Sequence, residues 1–190
     1  MSRKHPIIAV TGSSGAGTST VKRTFDTIFR REGITAATIE GDAFHRYERK
    51  EMKERIAAAD REGRPMSHFG PDANEWAELE KQFGNYARDG RCRTRLYLHN
   101  AAEAAPWKQE PGTFTPWYDT PVDTDLLFYE GLHGCVKTAE VDLARRVDLK
   151  IGVVPIINLE WIQKIHRDTK DRGYSKEAVA DTILRRMHDY

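Results

Sequence analysis

The sequence Ile7-Ile8-Ala9-Val10-Thr11-Gly12-Ser13-Ser14-Gly15-Ala16-Gly17-Thr18-Ser19-Thr20 decides the fold of this 190-residue chain. It begins as a β-branched run, passes through three glycines, and is followed by Val21, Phe25, Ile28 and Phe29 at helical spacing. This order predicts a strand, a loop and a helix. Such a loop can bind a polyphosphate, because glycines let backbone N–H groups approach the oxygens and the helix presents its positive N-terminus.

The spacing from Gly12 to Ser19 matches G-x-x-x-x-G-x-S, the pattern of a nucleotide phosphate-binding loop (P-loop), whose serine hydroxyl holds Mg²⁺. Thr18 stands in place of the usual lysine, so the cation that reaches the β- and γ-phosphates of ATP must come from elsewhere. Two other interpretations stay open. The stretch could be only a tight connection, or a nucleotide-binding relic without catalysis.

The overall composition excludes several classes of protein. Lys plus Arg number 30 and Asp plus Glu 29, a formal charge of +1, so nothing global favours binding to nucleic acid or a membrane. There is no run of about 18 apolar residues and no signal peptide, and we expect a cytoplasmic protein. Cys92 and Cys135 are too few for a disulfide framework, and the histidines lack zinc-ligand spacing.

Three further segments predict strands: 35–40, 126–131 and 149–154. Continuous rather than alternating apolar runs favour a parallel sheet that is covered on both faces. We therefore expect an α/β fold of the P-loop NTPase type, with three α/β/α layers and a mainly parallel central sheet. Ligands of such sheets bind at the carboxyl ends of the strands, so Asp42 is expected on the same edge as the phosphate loop.

The remaining pattern predicts helices over 47–64, 74–88 and 158–168, a strand over 93–99, and a long loop before the next strand. A last helix has Ser175 as its N-cap and carries Val179, Ile183 and Met187 on one face. No strand follows this helix. We expect residues 1–190 to be a single domain that is cut off at its C-terminus.

Phosphoryl transfer to an alcohol needs a base that accepts the hydroxyl proton and cations that neutralise charge on the phosphates. Asp42 is the best candidate for the base, although it could be only a polar residue that ends a strand. Glu130 follows four apolar residues, as the acid that helps to hold Mg²⁺ in P-loop proteins does. It could also be a strand cap.

Lys164, Arg167 and Asp168 share one helical face, because they lie at i, i+3 and i+4. A surface salt bridge would have the same spacing. The missing P-loop lysine favours Lys164 as the displaced cation over the γ-phosphate, with Asp168 as a carboxylate that binds magnesium or orients the lysine.

A cationic cluster of His45, Arg46 and Arg49 follows Asp42, and Arg172 could join it. Such a cluster suits a substrate with its own phosphate, although each arginine alone could be a solvated surface group. The basic segment 91–95 could be a second anion site, but a charged edge strand is the favoured interpretation.

The sequence resembles the bacterial-type phosphoribulokinases over essentially its whole length. The resemblance rests on five ordered motifs: Val10-Thr11-Gly12-Ser13-Ser14-Gly15-Ala16-Gly17-Thr18-Ser19-Thr20, Glu40-Gly41-Asp42-Ala43-Phe44-His45-Arg46, Ser67-His68-Phe69 with Ala73-Asn74-Glu75, Phe128-Tyr129-Glu130-Gly131-Leu132-His133-Gly134, and Ile162-Gln163-Lys164-Ile165-His166-Arg167-Asp168 through Arg172-Gly173-Tyr174. Members of this family continue beyond the position of Tyr190.

The resemblance implies a P-loop kinase domain that uses ATP and Mg²⁺ to phosphorylate the 1-hydroxyl of ribulose 5-phosphate, a step of Calvin-cycle carbon fixation. It assigns catalysis to Asp42, Lys164 and Asp168, and the metal to Ser19 and Glu130. It places the sugar phosphate at His45 and Arg49, with Arg167 and Arg172 as further cations of the substrate site. It also implies a homo-oligomer that is activated by NADH, with Arg31 in the effector site.

Two alternatives stay open. A related P-loop kinase could act on a nucleoside such as uridine, although a substrate without phosphate would not need His45 and Arg49 beside Asp42. A catalytically silent nucleotide-binding module would also explain Thr18 and the early stop.

Overall fold

The computed structural model of the chain describes residues 4–185. In chain order the elements are β1 (Ile7–Gly12), α1 (Thr18–Glu32), β2 (Ala36–Glu40), α2 (Arg49–Arg61), α3 (Trp76–Asp89), β3 (Arg93–Thr94), α4 (Ala101–Ala104), β4 (Tyr118–Asp119), β5 (Leu126–Gly131), β6 (Leu149–Val153), α5 (Ile157–Lys170) and α6 (Lys176–Arg185). Among them, no helix is long and apolar enough to cross a lipid bilayer.

The central sheet has four strands in the order β2-β5-β1-β6, and every pair is parallel. This arrangement confirms the expected three-layer α/β fold. β5 lies between β1 and β2, although those two strands are joined by α1. Glu130 of β5 is in register with Val10 of β1 and Glu40 of β2, so the carboxyl ends of the strands form one edge.

Apolar side chains project from both faces of the sheet, which explains the continuous apolar runs. On one face Ile7, Ala9, Leu127 and Tyr129 pack against Leu79, Phe83 and Tyr86 of α3. On the other face Val10 and Phe128 pack against Phe25 and Phe29 of α1, with the rings of Phe25 and Phe128 5.1 Å apart. Each fully buried large side chain contributes about 1.5–3 kcal/mol, so these two layers hold the strand ends in place.

Capping residues at the ends of two helices explain where those helices begin or end. α1 carries Arg30 and Arg31 in its last turn and is capped by Gly33, whose φ of 68° is left-handed. Ser175 Oγ accepts a hydrogen bond from the Ala178 N–H at 3.1 Å, which confirms it as the cap of α6. Val179 and Ile183 are buried as expected. Met187 lies outside the described residues.

The predicted strand over 93–99 is wrong beyond Thr94. β3 pairs with β4, and the chain then continues as an irregular antiparallel pairing with 112–115: the Leu98 N–H donates to the Thr113 carbonyl at 2.9 Å. The Leu96 N–H donates to the Thr115 hydroxyl oxygen instead of a main-chain carbonyl. A side-chain hydrogen bond therefore interrupts the main-chain pairing, and the predicted long loop is folded into this pairing.

Candidate active site

The phosphate loop joins the carboxyl end of β1 to the first turn of α1. Gly15 and Gly17 have φ values of 103° and 98°, which only glycine adopts without strain. No side chain caps the N-terminus of α1 at Gly17. The Thr20 N–H donates to the Gly17 carbonyl at 2.9 Å. The Thr18 and Ser19 N–H groups, at the first two positions of the helix, have no helical carbonyl one turn before them and are suited to bind an anion.

Helix α5 packs directly on this loop. A Cβ atom at Gly15 would lie 2.9 Å from the Glu160 carbonyl oxygen and 3.2 Å from Lys164 Cβ, so glycine permits this approach. Arg167 Nη2 donates to Ser14 Oγ at 3.1 Å. Lys164 lies against the loop, which fits its predicted role as a replacement for the lysine that is usual at position 18.

Asp168 holds three cations of the α5 region together. Lys164 Nζ lies 2.9 Å from Asp168 Oδ2, while Arg167 Nε and Arg172 Nη1 lie 2.9 and 3.3 Å from Oδ1. Burial lowers the pKa of Lys164 from its usual value, opposed by the adjacent Asp168 carboxylate. Burial would raise the pKa of Asp168, but hydrogen bonds and charge from Arg167 and Lys164 lower it. This buried pair differs from the solvated salt bridge that the spacing alone allowed.

Asp42 lies in a 3-10 turn (Gly41–Phe44) directly after β2 and is flanked by two histidines. His45 Nε2 is 3.3 Å from Asp42 Oδ1, and His99 Nε2 is 3.3 Å from Oδ2. About a third of the Asp42 side chain (34 %) remains exposed, so a small molecule can reach the carboxylate. Asp42 thus shares the sheet edge with the phosphate loop, as predicted.

The charges around Asp42 keep it ionised. Burial would raise its pKa, but the hydrogen bond from His45 and the charges of His45, His99 and Arg172 lower it well below the usual range. Burial would lower the pKa of His45, but Asp42 and a 2.9 Å hydrogen bond with Asn74 Oδ1 raise it. The positive charge of Arg172 lowers the pKa of Asp42, and Arg172 also contacts Asp168. Arg172 therefore connects the groups around Asp42 with those around Asp168.

Ser19 and Glu130 provide oxygen ligands suited to Mg²⁺. Ser19 Oγ is 3.4 Å from Glu130 Oε1 beside the phosphate loop. Burial, together with the nearby charges of Asp42 and Glu40, raises the pKa of Glu130, against a hydrogen bond from Thr18. A cation would relieve this repulsion. No group of three or more His, Cys, Asp or Glu side chains suited to a metal occurs within 4–185. The Ser19 hydroxyl and the Glu130 carboxylate are the oxygen donors that would hold Mg²⁺ here.

The other predicted residues lie at different distances from this centre. Arg49 Nη2 donates to the His99 carbonyl at 2.7 Å, which places Arg49 at the rim of the Asp42 cluster. Arg31 lies at the opposite end of α1, about 20 Å along the helix from the phosphate loop, and is paired with Glu32 at 2.8 Å. The structure thus groups the predicted site residues on one edge and leaves Arg31 outside it.

The sequence interpretation assigned no role to His99 or Asn74, which complete the Asp42 cluster. Asn74 Nδ2 donates to the carbonyls of His68 and Gly70 at 2.7 and 2.8 Å, and its oxygen contacts His45. His99 reaches Asp42 only because segment 96–98 pairs with 112–115. No local pattern marks His99, since its position depends on that long-range pairing.

Comparison with known proteins places this geometry in a family. The model of the Phosphoribulokinase / Uridine kinase family matches residues 7–190. The chain is 62 % identical over 191 residues to the chromosomal phosphoribulokinase of Cupriavidus necator, covering 100 % of this chain and 65 % of that protein. It is 61 % identical over 191 residues to the phosphoribulokinase of Nitrobacter vulgaris, covering 100 % of this chain and 66 % of that protein.

A solved structure, "phosphoribulokinase from Rhodobacter spheroides", matches with a TM-score of 0.84 and 57 % sequence identity, covering 100 % of this chain and 65 % of that one. The chain thus spans about two thirds of the length of these relatives, 65 % or 66 %. The match of the family model over nearly all of the chain decides the assignment. The chain belongs to the phosphoribulokinase / uridine kinase family.

Proposed function

We propose that this protein phosphorylates the 1-hydroxyl of D-ribulose 5-phosphate with ATP, giving ribulose 1,5-bisphosphate and ADP for Calvin-cycle carbon fixation. The observation that carries the proposal is the Asp42 carboxylate, held between His45 and His99 on the edge that also bears the phosphate loop. Relatives about 60 % identical over the whole chain are named phosphoribulokinases, which supports the choice of substrate.

Asp42 is suited to accept the hydroxyl proton. As the sugar oxygen bonds to the γ-phosphorus, the bond from that phosphorus to the β-phosphate oxygen breaks, and the proton passes to Asp42. Transition states of this type are loose, so the proton leaves late and a weakly basic carboxylate is sufficient. The lowered pKa of Asp42 keeps it anionic, and its main contribution is to orient the hydroxyl for attack.

The cations of α5 are suited to balance the charge of the transferred group. Lys164 packs against Gly15 and Arg167 contacts Ser14, which supports a role for both side chains in binding phosphate oxygens at the loop. Asp168 holds their side chains in fixed positions. Mg²⁺, held by Ser19 and Glu130, would supply further neutralisation of the phosphate oxygens.

The phosphate of the sugar is assigned to His45 and Arg49, with Arg172 between the two clusters. His45 has a raised pKa and Arg49 lies at the rim, so the cluster offers positive charge beside the base. This feature argues against uridine as the substrate, because a nucleoside carries no phosphate that would need it. The silent-module alternative is disfavoured by the close packing of Lys164 on the loop.

Three further assignments complete the proposal: a cytoplasmic location, a homo-oligomeric state and activation by NADH through a site that includes Arg31. Arg31 is exposed at the end of α1, away from the proposed chemistry, as an effector contact would be. Substitution of Arg31 by Ala should therefore remove a response to NADH while leaving unactivated turnover unchanged.

The test is ADP formation from ATP with ribulose 5-phosphate or uridine as the acceptor. We expect turnover with ribulose 5-phosphate and none with uridine. The turnover should be lost in Lys164→Met and unchanged in Lys170→Met, since Lys170 is an exposed lysine of the same helix. Asp42→Asn should reduce kcat by about 10²- to 10⁴-fold while ATP affinity is retained. Equal loss of ATP binding in Asp42→Asn would contradict the assigned base. ATP binding without turnover of either acceptor would favour the silent module.

A further inference from the structure

The basic segment 91–95 contains one arginine that differs from the others. Arg93 is exposed and pairs with Asp119 at 3.5 Å, as a charged edge strand would show. Arg95 instead directs its guanidinium into the protein. Its Nε donates to the Ala43 carbonyl and its Nη2 to the His45 carbonyl, both at 2.8 Å. Arg95 therefore departs from the edge-strand interpretation.

Two aromatic rings pack against this guanidinium. Its central carbon lies 3.6 Å from the centre of the Phe114 ring and 4.9 Å from that of Trp117. Trp117 in turn packs edge-on against the buried Phe44 at 5.4 Å. Within residues 4–185 Arg95 has no ion-pair partner, and Glu75 and Glu48 act on it only from a distance. Its charge is satisfied by main-chain carbonyls and ring faces.

The two carbonyls belong to the turn that carries the proposed base. Of the carbonyls of residues 42–45, that of Asp42 accepts from the His45 N–H, and that of Phe44 accepts from the Glu75 N–H. Those of Ala43 and His45 accept from Arg95. All four carbonyls are thus satisfied, and one rigid fork connects the residue after Asp42 with His45 itself.

We propose that Arg95 is a positioning residue, whose planar fork fixes the 42–45 turn so that Asp42 and His45 keep their mutual geometry and their place at the sheet edge. The part that concerns turnover rests on the proposed function. A lysine would present one ammonium group on a flexible stem and lacks the planar fork whose two nitrogens each bind one carbonyl. The role therefore requires the guanidinium geometry as well as the charge.

Steady-state kinetics of Arg95→Met and Arg95→Lys test the effect on turnover, with Arg93→Met as the matched control. We expect kcat with ribulose 5-phosphate to fall roughly 100-fold in Arg95→Met, because a small misplacement of reacting groups has an effect of this size. Arg95→Lys should show a smaller loss. The KM for ATP should stay unchanged in both variants, since the phosphate loop is a separate segment, and Arg93→Met should behave as the wild type.

NMR titration of the His45 ring supplies a readout that does not need turnover. The groups that act on this ring are Asp42 and Asn74, with the rings of His68 and Tyr97 and the charges of Arg95 and His133 nearby. Loss of the Arg95 charge alone would raise the pKa of His45, because that charge lowers it. Loosening of the Asp42–His45 pair would move the pKa down, towards the ordinary histidine value.

We expect the His45 pKa to fall in Arg95→Met, with the signal assigned by its loss in His45→Gln. A pKa that rises or stays in place, with kcat reduced only in proportion to the folded fraction measured by circular dichroism, would overturn the proposal. If Arg95→Met does not fold, Arg95→Lys decides by the same two readouts. If the wild type does not phosphorylate ribulose 5-phosphate, the proposed function fails, and the titration alone decides whether Arg95 fixes the turn.

Discussion

At the scale of single residues, we expect His45 to couple binding of the sugar phosphate to pH. Burial would lower its pKa, yet Asp42 and Asn74 raise it, so the positive charge persists to a higher pH than that of a free histidine. The sign of the effect follows: the charge is present below the raised pKa and is lost as the pH rises through it. Because His45 is assigned to the sugar phosphate, the KM for ribulose 5-phosphate should increase over that pH range.

Initial rates over a pH series measure this dependence. In His45→Gln the KM should be higher at low pH and nearly independent of pH, since no charge remains to be lost. The KM for ATP serves as the control and should not follow the titration of His45. Loss of the Lys164 charge at high pH would lower kcat. The same data distinguish this effect on kcat from the effect of His45 on the KM for the sugar phosphate. A wild-type KM for the sugar that does not change with pH would refute the role of His45.

Residues that a motif places next to a strand end could be predicted from the sequence, and residues that depend on long-range pairing could not. Glu130 directly follows an apolar run and Asp42 lies two residues after the end of β2, so their position at one edge is a consequence of parallel strands. His99 and Arg95 reach the same turn because segment 96–98 folds back on 112–115. A polar segment without periodicity contains no local signal for that pairing.

At the scale of elements, α5 has an inverted pattern of burial. Its buried residues are Glu160, Lys164 and Asp168, one helical turn apart, whereas Leu159 and Ile162 are exposed. The usual rule, in which the apolar stripe marks the buried face, would therefore orient this helix wrongly. The correct orientation followed from the missing P-loop lysine, which is a chemical argument and not one of periodicity.

The contact between α5 and the phosphate loop predicts different effects at two glycines. Ala at Gly15 would be strained by a φ of 103° and would also meet the Glu160 carbonyl and Lys164 Cβ. Ala at Gly17 would have the same type of strain at 98°, but nothing lies within 4 Å of its Cβ. Gly15→Ala should therefore lower kcat/KM for ATP by at least about tenfold more than Gly17→Ala. Equal effects, with folding checked by thermal unfolding, would show that the packing of α5 is unimportant.

At the scale of the whole molecule, the sheet collects the site from segments far apart in sequence, and β6 is the edge strand beside β1. Several highly exposed apolar side chains lie in this edge region and in the helices that follow β6. Val154 is 91 % exposed, Ile156 74 %, Leu184 64 % and Ile162 53 %. Exposed apolar side chains of this kind are typical of association sites, because water is released when two apolar surfaces meet.

This surface predicts that the 190-residue chain associates with itself as its concentration rises, in line with the proposed homo-oligomer. Sedimentation equilibrium measures the association, and the double substitution Ile156→Lys with Ile162→Lys should weaken it by placing like charges on both partners. Ile28→Lys, at an apolar residue of α1 that is 37 % exposed, is the matched control and should have no effect. ATP affinity should be retained in all variants, since none of these side chains is assigned to the phosphate loop. A monomer at every concentration, or an equal loss in the control, would mean that this edge of the sheet takes no part in assembly.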